Sequence, residues 1–180
     1  LSKGHGTSAL YSTMYHHDLI SNKELKTYFK NGSVLGGHAS HHVPFVEHST
    51  GGLGHGLSVG VGITIGMRSK KINSKVFVVL GDGEMQEGSN WEAIMLAGHL
   101  KLENLTIFID INELGQVGKL ENSCSLEPLA QKFESFNFDV YDINGHDEEK
   151  LDSDIKKSFI SKKPSAILCR TVKGYGISFM

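Results

Sequence analysis

The chain has 180 residues, with 18 Lys and Arg against 20 Asp and Glu for a formal net charge of −2. That is the size of about one average domain, and it carries no basic field to hold nucleic acid or an anionic membrane surface. At 39% hydrophobic and 21% charged residues, the composition excludes a disordered chain and leaves apolar material for a sizeable core. One domain over residues 1–180 is expected. Because the sequence opens at Leu1 rather than Met, it is expected to be part of a longer product, with a cytoplasmic setting.

Glycine is over-used, at 21 residues, and concentrates in the first half of the chain. The early segments Leu1-Ser2-Lys3-Gly4-His5-Gly6, Gly37-His38 and Ser49-Thr50-Gly51-Gly52-Leu53-Gly54 are glycine-bearing, and glycine-rich stretches suggest backbone held close to something. The uncharged stretch 49–67 has the length of a membrane span, but its glycines, hydroxyls and His55 argue against one. Leu53, Leu57, Val61 and Ile65 recur every four residues, while Gly56 with Gly60 and Gly62 with Gly66 form small-residue pairs; a buried interface helix is expected.

From residue 76 the pattern alternates. Short apolar runs at 76–80, 105–109, 138–143 and 166–168 are separated by helical stretches, which is the rhythm of strands buried on both faces of a parallel sheet. Between the first two runs, Trp91, Ile94, Met95, Gly98 and Leu102 form one stripe expected to pack on that sheet. Asn144-Gly145 followed by Asp147 predicts a turn into a helix N-cap, with a solvated helix running toward Pro164. Cys124 and Cys169 belong to no ligand cluster and read as reduced, buried thiols.

The sharpest local signal is Gly81-Asp82-Gly83-Glu84 at the end of the first strand. Ligands of open α/β sheets collect beyond the carboxyl ends of the strands, so a carboxylate there suits a metal-bridged phosphate, although Asp-Gly is also an ordinary turn. Asn112 follows the second strand, with 28 residues separating it from Gly83. If the two strands are parallel neighbours, the Asp82 carboxylate and the Asn112 amide oxygen become hard oxygen ligands for one cation, and magnesium fits them better than zinc. An EF-hand reading of 110–121 fails because Leu114 stands where an acidic or amide ligand belongs and the preceding segment reads as a strand. His38, His41, His42, His48 and His55 crowd together, but no helical or Cys frame supports a zinc site.

Gly81-Asp82-Gly83 with its gap to Asn112 resembles the thiamine diphosphate motif, and the run Gly-Asp-Gly-Glu-Met-Gln-Glu-Gly-Ser-Asn-Trp-Glu-Ala resembles transketolase in particular. The early Gly-His and Gly-Gly segments and Thr171-Val172-Lys173-Gly174 extend the likeness across the chain. Ala39 and Gly52 depart from it, standing where the family commonly has Pro.

The resemblance implies an α/β fold in three layers, a parallel sheet with helices on both faces, of the thiamine diphosphate-binding PP type. It implies thiamine diphosphate and Mg2+ as cofactors, with Asp82, Asn112 and the Leu114 carbonyl on the metal. His5, Gly51, Leu53, Asp82, Gly83, Glu84 and Asn112 are implied contacts of the cofactor. His5 and His38 are the implied catalytic residues, moving protons and holding the sugar donor. The implied activity is transketolase two-carbon transfer between sugar phosphates; a 1-deoxy-D-xylulose-5-phosphate synthase-like enzyme and a non-catalytic module of the same fold are the alternatives. The glutamate that activates the aminopyrimidine in this family lies in a second, pyrimidine-binding domain, for which 180 residues leave no room. A C-terminal transketolase subunit or pyrimidine-binding domain is therefore the implied partner, in a dimer or hetero-tetramer, with neither nucleic acid nor membrane expected as a partner.

Overall fold

The computed structural model describes all of residues 1–180. In chain order it contains α1 (Thr7–His16), α2 (Asn22–Leu25), α3 (Gly56–Ser69), β1 (Val76–Gly81), α4 (Gly88–His99), β2 (Leu105–Ile111), β3 (Leu114–Gly115), β4 (Gly118–Lys119), α5 (Leu129–Ser135), β5 (Asp139–Asn144), α6 (Glu148–Ile160) and β6 (Ser165–Arg170). The four apolar runs become β1, β2, β5 and β6, which form one parallel sheet in the order β1-β2-β6-β5. β3 and β4 form a small antiparallel ribbon after Asn112.

Alternation along the strands explains the layers. Val76, Val78 and Leu80 of β1 and Leu105, Ile107 and Ile109 of β2 join a core with Leu57 and Val61 of α3, Ile94 and Ala97 of α4 and Phe133 of α5. On the opposite face Thr106 meets Ser158 of α6 in a hydrogen bond, and Phe77 meets Phe159. Three helices thus cover one face and α6 lies over the other, giving the three-layer α/β architecture. Asp147 caps α6 by accepting from the Lys150 N–H at 2.9 Å, as its position after the Asn-Gly turn predicts.

Three local expectations are corrected. Met95 is 56% exposed, whereas Ile94, Gly98 and Leu102 are buried; one residue along a helix turns about 100°, which carries Met95 off the inward stripe. In α3 only one pair of glycines is in close contact, Gly56 against Ser2 and Gly60 against Val78, while a Cβ at Gly62 or Gly66 would meet open space. That helix is buried on its sheet side and open on the other, and Leu53 lies ahead of it, 44% exposed. Cys124 is exposed; only Cys169 is half-buried, and burial pushes its thiol up to about 11.

A second, smaller core of Tyr11, Met14, Ile20, Leu35 and Val43 supports the non-periodic N-terminal segments. No helix is long and apolar enough to cross a membrane.

Candidate functional site

The carboxyl ends of β1 and β2 lie side by side, with Gly81 opposite Asp110 in the parallel register. Asp82 leaves the sheet at this point and caps a 3-10 turn over Gly83–Gln86. Its side chain is 4% exposed. Asp82 Oδ1 accepts from the Gly83 N–H at 2.8 Å, and Oδ2 accepts across the strand boundary from the Glu113 N–H at 2.6 Å. The residue next to Asn112 is thereby hydrogen-bonded to the Asp82 carboxylate. Burial pushes the Asp82 carboxyl above its ordinary range, while the Glu113, Gly83 and Asn112 N–H groups and the Lys3 ammonium pull in the opposite direction.

Glu113 adopts a left-handed φ of 62°, turning the chain immediately after Asn112. Such a conformation costs an ordinary side chain about 1 kcal/mol and persists where its surroundings dictate it. The Asn112 Oδ1 accepts from the Leu114 N–H at 3.0 Å, closing a local turn of the kind asparagine favours. Three N–H groups act on the Asp82 carboxylate, fewer than the about four it can accept, and the Asn112 amide oxygen accepts from one, which leaves acceptor capacity on both residues for a cation. A Cβ at Gly83 would meet nothing nearer than Leu120 Cδ2 at 3.7 Å, so packing does not demand glycine there; its bare backbone leaves room above the turn. A buried carboxylate and a half-buried amide oxygen beside an uncrowded Gly-Asp-Gly turn fit a magnesium-bridged diphosphate.

The second group of expected residues gathers in the N-terminal segments. The His5 and His38 rings lie 5.4 Å apart between centroids, and both residues are exposed. Gly4 is the reason they can approach, because a Cβ there would lie 2.4 Å from His38 Cδ2 and 3.4 Å from the Gly51 Cα. Gly51 itself has φ 128°, a backbone that ordinary side chains rarely adopt. Thr50 N–H donates to the Ala39 carbonyl at 2.8 Å and Ala39 N–H to Thr7 Oγ1 at 3.1 Å, tying the 37–39 and 49–53 loops to α1.

Glu84 is 3% exposed, and its carboxylate is turned inward. It accepts from Ser2 Oγ, from the Gly54 N–H at 3.1 Å and from the Gly81 N–H at 3.4 Å. Sequence reasoning gives Ser2 and Lys3 no role. Lys3 Nζ pairs with Asp110, which also accepts from Thr171 Oγ1, so the N-terminal segment, β2 and the segment after β6 meet beside Asp82. These three residues lie far apart in sequence; only the presence of Lys3 and Thr171 inside glycine-bearing motifs points toward them.

His41 and His42 are exposed and in ring contact, His41 sharing a hydrogen bond with Ser49. His16, His17, His48, His55 and His99 are likewise exposed. His146 is half-buried, stacks on Tyr175 at 3.8 Å and accepts from the Val172 N–H, which fixes its ring in place.

Fold and site together define a parallel α/β domain with oxygen donors gathered at the carboxyl ends of two adjacent strands. Residues 1–179 match the family model of the transketolase thiamine diphosphate binding domain, and the chain belongs to the transketolase family. It is 40% identical to one of the subunits of the apulose-4-phosphate transketolase of Phocaeicola vulgatus, covering all of this chain and 64% of that protein. It is 38% identical to the corresponding apulose-4-phosphate transketolase polypeptide of Actinobacillus succinogenes, over 99% of this chain and 65% of that one. The chain thus spans about two thirds of the length of these relatives. Among solved structures, the Campylobacter jejuni transketolase superposes with a TM-score of 0.90 at 30% identity, covering 98% of this chain and 29% of that one.

Proposed function

We propose that this chain is the thiamine diphosphate-binding half of a transketolase, moving a two-carbon ketol unit from a ketose phosphate to an aldose phosphate. The observation that carries the reading is the 2.6 Å hydrogen bond from the Glu113 N–H to Asp82, which couples the turn after β1 to the Asn112 turn after β2. In this proposal Asp82, Asn112 and the Leu114 carbonyl hold Mg2+, and Gly83 leaves its backbone open to the diphosphate. Gly51 and Leu53 contact the rest of the cofactor, beside the His5 and His38 pair. Bound thiamine diphosphate supplies an electron sink at its thiazolium carbon.

The roles of the chain's own residues follow from that arrangement. Asp82 contributes a buried negative charge that matches a divalent cation. His5 and His38, exposed and 5.4 Å apart between ring centroids, move protons to and from the hydroxyl groups of the sugar, work worth roughly 10² to 10⁴ in rate. No glutamate for activating the aminopyrimidine is assigned within this chain. We therefore assign that role to a C-terminal subunit or pyrimidine-binding domain; the relatives named as single subunits of a transketolase support the arrangement. Cytoplasmic action on sugar phosphates belongs to the same proposal.

The test is donor use by the chain assembled with such a half. Consumption of a ketose phosphate with transfer to an aldose phosphate supports the reading. Consumption of pyruvate with release of carbon dioxide favours the 1-deoxy-D-xylulose-5-phosphate synthase-like alternative. Full two-carbon transfer by the purified chain alone overturns the requirement for a second half.

A further inference from the structure

The Glu84 carboxylate joins three segments that the proposed cofactor would have to touch at once. It sits on the turn that carries Asp82 and is 3% exposed. One oxygen accepts from Ser2 Oγ, three residues before His5, and from the Gly54 N–H at 3.1 Å, directly after Leu53. The other accepts from the Gly81 N–H at 3.4 Å, and the Glu84 carbonyl accepts from Asn90 Nδ2 at 2.7 Å, which fixes the turn to α4. Backbone bonds from Ser2 and Lys3 to the Val79 carbonyl, 2.9 and 3.0 Å, lay the N-terminal segment along β1 at the same point. A buried carboxylate is costly unless its oxygens are satisfied, and here two of its three donors, Gly54 and Ser2, lie 30 and 82 positions away in sequence.

We infer that Glu84 is a positioning residue, a buried clamp that sets the register between the Asp82 turn, the Gly51–Leu53 loop and His5, rather than a group that lines the diphosphate. The inference rests on the thiamine diphosphate reading above and deepens it. Inorganic pyrophosphate with Mg2+ needs only the Asp82 and Asn112 end of the site. Thiamine diphosphate needs that end and the Gly51–Leu53 loop in correct relative position. Loss of the clamp therefore penalises the two ligands differently, which a purely structural role or a direct ligand role would not do.

The experiment is calorimetric titration of the chain assembled with its pyrimidine-binding half, using thiamine diphosphate and inorganic pyrophosphate, each with Mg2+, on the wild type, Glu84→Gln and Ser2→Ala. Ser2→Ala removes one donor to the same carboxylate and serves where Glu84→Gln does not fold. The expected result is about a tenfold rise in Kd for thiamine diphosphate with pyrophosphate changed by less than about twofold, in either variant. Equal weakening of both ligands, or no change in either, overturns the inference while leaving the cofactor reading intact. A wild type that binds neither ligand overturns the cofactor reading and the inference with it.

Discussion

The Asp82 carboxylate and the Glu113 N–H meet at 2.6 Å across the ends of two adjacent parallel strands. That contact converts two turns, separated by a whole helix and strand, into one rigid oxygen-bearing edge. Its electrostatic consequence is testable by pH. Burial raises the Asp82 carboxyl above the ordinary aspartate value of about 4. A cation needs the ionised form, so Mg2+-dependent cofactor affinity is expected to fall on acidification at a higher pH than an exposed aspartate would give. Without the cation the sign reverses: a raised folded-state value means that the folded chain binds the extra proton, so this group's contribution to stability declines as pH rises through the same window. Titrations of affinity and of Tm across the weakly acid range check both directions.

The His5 and His38 pair is expected to separate binding from turnover. His38 is exposed, and its ring packs beside Gly4 and Gly51 without any hydrogen bond to the Asp82 edge. His38→Ala should therefore lower kcat by roughly 10² or more, the scale of general acid–base assistance, while the Kd for cofactor changes far less. Steady-state kinetics beside calorimetry on the same preparation measures both; equal loss of the two would make His38 a packing residue.

The parallel sheet was legible because its strands are uninterrupted apolar runs, and the Asp82 to Asn112 spacing was legible because one helix and one strand fix it. The clustering of His5, His38 and Gly51 followed from motif likeness alone, since residues 17–56 carry almost no periodicity. What the sequence concealed were long-range polar contacts. Nothing local to Glu84 says that its partners are Ser2 and Gly54, and nothing local to Asp110 says that Lys3 and Thr171 reach it. Met95 illustrates a different limit, because a stripe spaced by threes and fours is about 100° wide and its edge residue can face outward.

Gly98 belongs to the packing stripe of α4, and the structure gives the reason for glycine there. A Cβ would fall 1.8 Å from the Phe136 carbonyl oxygen, a backbone atom that cannot swing aside. Gly98→Ala is expected to destabilise the fold by about 3 kcal/mol, at the upper end of overpacking costs. Denaturant unfolding monitored at Trp91, which packs against Phe133 and Phe136, reads the change directly.

On α6, the Asp154 side chain is buried and bonded to both Lys150 and Lys157. Burial acts to raise its carboxyl, but the two lysine hydrogen bonds win and hold it below the ordinary range. A lowered folded-state value contributes stability at neutral pH that is lost as pH falls from the ordinary aspartate value through the lowered one. Asp154→Ala should thus cost about 1 to 2 kcal/mol at pH 7, and the difference from wild type should shrink toward strong acid. Unfolding curves at neutral and acid pH check it.

The most direct measurement of the central claim is calorimetric titration of thiamine diphosphate into the assembled protein with Mg2+, with EDTA in its place, and with the Asp82→Ala and Asn112→Ala variants. Tight binding that needs the cation and weakens by about tenfold or more in each variant is the expected result, with the variants still folded by circular dichroism. Affinity that is indifferent to the cation and unchanged in both folded variants would contradict the assignment of these two strand ends as the anchor of the cofactor.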